Sequence, residues 1–444
     1  GRVGHWGFLS AWGGRAAQDD SRGNFHKSLS ERNNFPYTHW YANQYITTYI
    51  RKELTGMTSS PLDLTSFNSL LSDEERMLQE AMADFANKSL KPNVQEWFDN
   101  GTLPAKELGP QFGQLGALGM HLEGYECPGA SAVAYGLACM EIEAVDSGLR
   151  SFVSVQGSLA MFAIHHWGSE EQKEKYLPKM AAGEYLGCFG LTEPDAGSDP
   201  ASMKTRATRD GDEWVLNGTK MWITNSPVAD VAVVWARTED GFAGFILEKG
   251  MEGFTAPEIH KKLSLRASIT GEIVLDNCRV PDSQRLPKID TLRGPLTCLN
   301  EARYGIIWGA LGAARDSLET AIEYTETREV FGKSLSSYQL TQAKLANMSV
   351  ELNKSVLLAL QLGRLKDKGE LAPHQVSVGK LNSTRVALEI ARECRTLLGA
   401  SGITLEYSPL RHANNLESVL TYEGTAEMHQ LIIGQALTGK GAFR

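Results

Sequence analysis

The chain has 444 residues, 42% apolar and 22% charged, the balance of a globular protein with room for roughly three domains. A net charge of −9, from 44 basic and 53 acidic side chains, argues against a nucleic-acid binder, which needs a basic face. No stretch approaches the roughly 18 apolar residues of a membrane span, and six scattered cysteines without a C-x-x-C pair favour free thiols in a reducing compartment over disulfides or zinc.

Residues 1–56 stand apart. They are rich in aromatics such as Trp6, Phe8, Trp12, Tyr37 and Trp40, with no helical or strand period. Asp19, Asp20, Glu31 and Glu53 argue against a transit peptide, and no apolar core marks a secretory signal. The expectation is an irregular N-terminal extension. Lys52-Glu53 can be encoded by a purine-rich run like a ribosome-binding site, so one reading makes the segment translated upstream sequence, with Met57 as the natural start.

From residue 57 to 184 the pattern is helical. Asp73–Leu90 carries Met77, Ala81, Met82 and Phe85 near a 3.6-residue period, with Ser72 as a cap before Asp73-Glu74-Glu75. Residues 132–145 and 159–167 read as further helices, punctuated by Gly and Pro at ELGPQFG and YECPGAS. His165 and His166 are adjacent and cannot share a helix face, so no metal site is expected there. In EIEAVDSGLRS, Asp146 and Arg150 have the i,i+4 spacing of a surface ion pair.

From 185 to 290 the signal becomes that of strands. CFGLTEPDAGSDP offers Thr192, Gly197, Ser198 and nearby backbone N–H groups, donors suited to a ring carbonyl or a phosphate, and reads equally as a polar loop bounded by Pro194 and Pro200. WVLNGTKMWIT reads as a hairpin turning at Asn217-Gly218. WITNSP ends a strand with an aromatic, a hydroxyl and an amide, or simply with a core Trp and a turn. VADVAVVWA, AGFIL and GEIVL are short apolar runs with β-branched residues.

From 291 to 444 long helices return. Leu345, Met348, Leu352 and Val356 share one face, and VSVGKLNSTRVALEIARECRTLL is closed by Gly399. TREVFGKSLSSYQ holds Arg328, Phe331 and Gln339; alone it reads as a helix end at Gly332 and a cap at Ser336 or Ser337. RTLLGASG can let a ligand approach the backbone or merely cap a helix. TYEGTAEMHQLIIG sets one carboxylate, Glu423, in an apolar seam; Gly424 can turn the chain and Thr425 can cap a helix beginning at Ala426. There is no G-x-G-x-x-G, Walker A, H-E-x-x-H or G-x-S-x-G sequence.

Taken together, VAYGLACMEIEAVDSGLRSFVSVQGSL, GCFGLTEPDAGSDP, WITNSPVADVAVVWAR, KLSLRASITGEIVLDNCRVP, LNEARYGIIWGALGA, GRLKDKGELAP and LESVLTYEGTAEMH closely resemble the acyl-CoA dehydrogenase family, and within it the glutaryl-CoA dehydrogenase branch. The likeness runs from about Leu71 to Phe443 and gives residues 1–56 no counterpart. It implies a mixed α and β fold: an N-terminal helical domain, a central β domain and a C-terminal four-helix bundle. It also implies FAD, bound between the β domain and the bundle and across a subunit contact. By resemblance, Phe189, Gly190, Leu191, Thr192, Gly197, Ser198, Trp222, Ile223 and Thr224 would hold the flavin ring and pyrophosphate. Arg328, Phe331, Gln339, Leu397, Leu398 and Gly399 would hold the ADP part, partly from a neighbouring subunit, with Thr425 and Phe443 at the flavin. One departure is the loop that usually reads Gly-Gly-Asn-Gly and here reads Gly399-Ala400-Ser401-Gly402.

The resemblance gives Glu423 a role as general base for the α-proton of an acyl-CoA, with burial raising its pKa above the usual ~4.3. Its backbone N–H, with a flavin ribose hydroxyl, would polarise the thioester carbonyl. Ser198, Arg303 and Gly424 match positions at the CoA thioester substrate. In the glutaryl branch Glu143, Arg150, Ser151 and Tyr422 would read the far carboxylate, Arg150 in fork geometry. The implied reaction is FAD-dependent oxidative decarboxylation of glutaryl-CoA to crotonyl-CoA and carbon dioxide, a step of lysine and tryptophan catabolism. Electrons would leave to an electron-transfer flavoprotein from a homotetramer in the bacterial cytoplasm or, alternatively, the mitochondrial matrix. The other readings are a dehydrogenase that stops at glutaconyl-CoA or takes short acyl-CoA, and a catalytically silent flavin-binding protein of the same fold. No metal, nucleic-acid or membrane partner is implied.

Overall fold

The computed structural model describes residues 60–442; the expectations for residues 1–56, for Met57 and for Phe443 lie outside the described residues. The first long helix, α1 (Asp73–Phe85), begins where the sequence places its cap. Ser72 Oγ accepts from Glu75 N, and the Glu75 carboxylate accepts from Ser72 N. Its buried face differs from the expected one: Met82 is buried, followed by Ala86 and Leu90 on a π-helical turn, while Met77 is 69% exposed and Ala81 also faces out. The cause is Glu75, which is buried and accepts from the Arg364 guanidinium at 2.8 Å. A paired carboxylate takes a core position that a count of apolar residues assigns to solvent.

Helices α2 (Val94–Asn100) and α3 (Ala105–Gln114) follow, then a two-residue ladder of β1 (Glu123–Gly124) and β2 (Cys127–Pro128). Helix α4 (Ala132–Glu143), capped by Ser131, is buried on every side, as expected of a helix that is apolar all round. Helix α5 (Ser147–Ser154) runs through a π-helical stretch, Val155–Met161, into α6 (Phe162–Trp167), and α7 (Glu170–Ala181) closes this region.

The central sheet has seven strands: β3 (Gly187–Gly190), β4 (Arg206–Asp210), β5 (Glu213–Thr224), β6 (Val231–Arg237), β7 (Phe242–Glu248), β8 (Phe254–Thr255) and β9 (Thr270–Pro281). Their order is β3-β6-β4-β5-β9-β8, with β7 paired to β6. Strand alternation divides the core. Val231, Val233 and Trp235 face the helical core, whereas Ala232, Val234 and Ala236 face the sheet's own apolar layer with Leu216, Phe245 and Ile273. The expected hairpin at Asn217-Gly218 does not form. Strand β5 runs on past it against β9, with a register shift between Leu216 and Gly218. Gly218 has φ +149°, and a Cβ there would come within 2.7 Å of Thr205 Cα, so the Asn-Gly pair serves a bulge. The turn lies one strand earlier, where Asp210 pairs with Glu213 across Gly211-Asp212.

The last region holds α8 (Arg293–Thr327), α9 (Gln339–Asp367), α10 (Pro373–Leu397), α11 (Ser408–Thr421) and α12 (Ala426–Thr438). The α8–α9 link corrects another expectation. Helix α8 stops at Thr327; β10 (Glu329–Val330) and β11 (Lys333–Ser334) pair around Phe331-Gly332, both at positive φ, and α9 starts without a side-chain cap from Ser336 or Ser337. On α9 Met348, Leu352 and Val356 are buried, with Leu345 packed at the edge. Gly399 ends α10 with φ +57°. All six cysteines are free. Among the described residues no helix is long and apolar enough to cross a membrane.

Candidate active site

Helices α11 and α12 are joined by only Tyr422-Glu423-Gly424-Thr425. Thr425 caps α12, its hydroxyl accepting from Met428 N at 3.3 Å, as the sequence leads one to expect. The connection is so short that Glu423 (φ +52°) and Gly424 (φ +99°) both take left-handed backbone. For a non-glycine residue that costs about 1–3 kcal/mol and persists only where the surroundings enforce it. Here they do. Lys380 Nζ donates to Tyr422 O at 2.5 Å and to Gly424 O at 2.6 Å, and Arg303 Nε donates to Glu423 O at 2.7 Å. A side chain at Gly424 would be strained by its φ of +99° and would crowd His429, since a Cβ would stand 3.0 Å from His429 Nε2.

The Glu423 residue is half-buried, but its Oε2 is out of water and has no hydrogen-bond partner. Burial pushes its carboxyl above the usual range, against the pull of Arg150, Lys380 and Arg303. A dry, raised carboxylate with one uncommitted oxygen is suited to accept a proton from carbon.

Beside it, Arg150 on α5 is 1% exposed. Its Nε donates to Glu143 Oε2 at 2.6 Å and its Nη2 to Tyr422 Oη, while Ser151 Oγ lies 3.3 Å from the same phenol. Burial holds the Tyr422 hydroxyl well above its ordinary pKa, so it stays a neutral phenol. The surface pair expected between Asp146 and Arg150 is absent. Asp146 is buried, caps α5 by accepting from Gly148 N at 2.8 Å, and turns to Arg411 and Asn415 on α11. Its two oxygens are spent on the cap and on α11, which leaves none for Arg150.

A second group gathers in the sheet. Phe189, Gly190 and Leu191 are buried at the end of β3. The loop that follows is pinned by Glu193, which accepts from Lys204 N, Thr205 N and the fully buried Lys220 ammonium at 2.6–2.9 Å. Thr192 O accepts from Met221 N at 2.9 Å, which sets the loop against a register shift of β5 between Lys220 and Ile223. Trp222 sits in that shift with φ +63° and is 56% exposed, so it is not a core Trp; Ile223 is buried and Thr224 pairs with Thr270. Gly197 and Ser198 are exposed, and a Cβ on Gly197 would meet nothing within 4 Å. This group connects to the first: Asn225 N donates to Ile269 O, Leu265 N donates to Asn415 Oδ1, and the Ser264 and Ser418 hydroxyls are 2.6 Å apart. Helix α11 then leads straight to Tyr422.

The third group is elsewhere. Arg328, Phe331 and Gln339 are exposed at the α8–α9 link, Phe331 by 93%. Tyr324 Oη donates to Ser401 Oγ at 3.4 Å, joining this link to the turn at Gly399–Ile403. Leu397 is half-buried, Leu398 is in the core and Gly399 is exposed. Arg303 lies about a third of the way along α8 and Arg328 just past its C-terminal end, roughly 37 Å apart at ~1.5 Å per residue. The chain therefore brings together Glu423, Gly424, Thr425, Tyr422, Arg150, Ser151, Glu143 and Arg303, and keeps the Arg328 group apart.

Two participants escaped the sequence reading. Lys380 gave only the signal of one lysine in an otherwise buried stretch of α10. Gly309 stands where a Cβ would collide with the Glu143 carboxylate and approach Arg150 Nε to 3.1 Å. A glycine inside a helix is the mark of such a close approach.

Three family models match the chain: the N-terminal domain of acyl-CoA dehydrogenase over residues 72–184, its middle domain over 188–278 and its C-terminal domain over 293–438. Among curated relatives, the glutaryl-CoA dehydrogenase of Desulfococcus multivorans is 34% identical over 374 residues, covering 82% of this chain and 96% of the relative. The mitochondrial short-chain specific acyl-CoA dehydrogenase of Rattus norvegicus is 33% identical over 370 residues, 82% of this chain and 90% of that protein. Among solved structures, a glutaryl-CoA dehydrogenase from Mycobacterium smegmatis in complex with FADH2 is 65% identical with a TM-score of 0.86, over 87% of this chain and 100% of that one.

Proposed function

The chain belongs to the acyl-CoA dehydrogenase family, and we propose that within it the protein oxidises and decarboxylates glutaryl-CoA to crotonyl-CoA and carbon dioxide. It is an FAD-dependent enzyme. FAD, when bound, supplies the acceptor for the hydride that leaves the substrate's β-carbon. The residues present fit it: an exposed indole at Trp222 offers an apolar face beside the donors of the 192–198 loop, with open space at Gly197. Arg328 and Gln339 suit an ADP moiety; Arg328 stands roughly 37 Å along α8 from Arg303, so this reading requires that the pair serve a neighbouring copy. That requirement supports a homo-oligomer, and a homotetramer is the form we propose, with an electron-transfer flavoprotein as redox partner.

Glu423 takes the α-proton. Its backbone N–H, aimed by the left-handed turn, polarises the thioester carbonyl. Arg303 holds the Glu423 carbonyl and so keeps that turn in place. Arg150 orients the distal carboxylate through Nη1, the nitrogen not committed to Glu143 or Tyr422. Once the hydride has gone, the glutaconyl thioester still carries that carboxylate. Cleavage of its C–C bond releases carbon dioxide and leaves a dienolate. The Glu423 carboxyl, now protonated and enclosed, returns the proton to the γ-carbon.

The observation that carries this reading is the buried Arg150 guanidinium beside the base. A monocarboxylic acyl chain would leave Nη1, the nitrogen taken by neither Glu143 nor Tyr422, without a partner, which weighs against the short-chain alternative. A silent flavin carrier would have no use for a strained, dry carboxylate. The test is Glu423→Gln, which preserves shape and removes the proton acceptor. The variant should keep FAD and bind acyl-CoA, yet fail to bleach the flavin on adding glutaryl-CoA; near-normal bleaching would refute the base.

A further inference from the structure

Three successive carbonyls around the base are held by two cations, the half-buried Arg303 and the buried Lys380, and Lys380 has no part in the reaction as derived above. It lies about a third of the way along α10 and is 1% exposed. Its ammonium donates to the carbonyls on either side of Glu423, at 2.5 and 2.6 Å, and stands 5.9 Å from the Tyr422 ring centroid. It forms no direct ion pair among the described residues. Taking an ammonium out of water for two carbonyls and no touching anion is costly, so an ordinary packing role is a poor account of it.

We propose that Lys380 is a positioning residue for the base: its ammonium straps the loop on both sides of Glu423, fixes the left-handed turn that aims carboxylate and N–H into the site, and keeps the carboxylate ionised. The inference rests on Glu423 being the base. The groups that face Glu423 are Arg150 from α5, Arg303 from α8, Lys380 from α10 and the adjacent Tyr422, with Glu143 of α4 behind Arg150 and His429 of α12 beneath Gly424. His429 is held neutral, its pKa lowered to about 3 by burial and by Lys380 and Arg303, and its Nδ1 lies 3.0 Å from Ser377 Oγ. The two arginines stay charged at any working pH. Lys380 does not share that constancy: burial pulls it down to about 7, against the attraction of Glu423. It is thus the cation in this group whose charge is adjustable. Removing it withdraws support from the carboxylate, so Glu423 keeps its proton to higher pH.

Two substitutions separate strap from charge. Lys380→Gln retains two N–H donors for the two carbonyls but no charge; Lys380→Met retains neither. In FAD-loaded enzyme, Lys380→Gln should move the acidic limb of kcat upward by about one pH unit, roughly a tenfold loss below the limb, and should converge on the parent rate at alkaline pH. Lys380→Met should lower kcat about tenfold or more at every pH with little change in KM, and Lys380→Arg should restore the acidic limb. Should Lys380→Met fail to fold, the limb of Lys380→Gln decides alone. An unmoved limb in Lys380→Gln overturns the inference, as does a folded Lys380→Met with the parent's kcat. Glu423→Gln run alongside keeps the two claims apart: retained bleaching there means that the base reading has failed, whereas lost bleaching with parent-like Lys380 variants means that only the strap has.

Discussion

Arg150 on α5 and Glu423 on the α11–α12 connection are joined through Tyr422, and in the proposed reaction they divide selection from chemistry. Losing a charge-assisted pair inside such a pocket costs on the order of 2–4 kcal/mol. Arg150→Met should therefore lower kcat/KM on glutaryl-CoA by tens- to a thousand-fold, at about tenfold per 1.4 kcal/mol. Butyryl-CoA has no distal charge, and its turnover should change much less. Parallel losses on the two substrates would make Arg150 a structural residue. At this scale the sequence was informative where chemistry is local. A lone carboxylate in an apolar seam ahead of a Thr cap marked Glu423, and the cap formed as expected. Its role came from the family resemblance, because spacing alone cannot say what faces a side chain. Lys380 was illegible for the same reason: its partners are carbonyls on a loop reached only when α10 packs beside it.

Helix α8 carries the packing against which the clamp is set. Gly309 leaves just the space that Glu143 and Arg150 occupy. On helix propensity alone Gly309→Ala should gain roughly 1 kcal/mol. The collision sits between two fully buried, paired side chains that have no slack, and overpacking typically costs about 1–3 kcal/mol, so the collision wins. The variant should melt lower than the parent and lose more turnover on glutaryl-CoA than on butyryl-CoA; a raised melting temperature with unchanged substrate preference would contradict the packing argument. Element existence was largely legible from periodicity, including the cap of α1, the face of α9 and the glycine that ends α10. What failed was local and has local causes. Asn217-Gly218 has the composition of a hairpin turn, yet β9 pairs with both of its flanks and makes it a bulge. Met77 has the right period, yet Glu75 with Arg364 takes the buried side of α1.

Across the whole molecule, helices, sheet and helices again reproduce the three-part order read from the change of periodicity along the chain. What no single-chain reading supplies is closure of the cofactor site. The Trp222 and Glu423 groups are connected through α11, while Arg328, Phe331 and Gln339 sit near the far end of α8, roughly 37 Å from Arg303. If, as proposed, Arg328 serves the phosphates of a cofactor held by another copy, Arg328→Ala should weaken FAD retention on dialysis without changing the preference for glutaryl- over butyryl-CoA; undiminished FAD content would count against that arrangement. The central claim is that one enclosed site both oxidises and decarboxylates. Anaerobic addition of glutaryl-CoA to the purified yellow protein, with the acyl-CoA products separated and carbon dioxide measured, tests it most directly. Crotonyl-CoA and carbon dioxide in equal amounts, matched to the flavin bleached, are the predicted result; glutaconyl-CoA accumulating without carbon dioxide would contradict it.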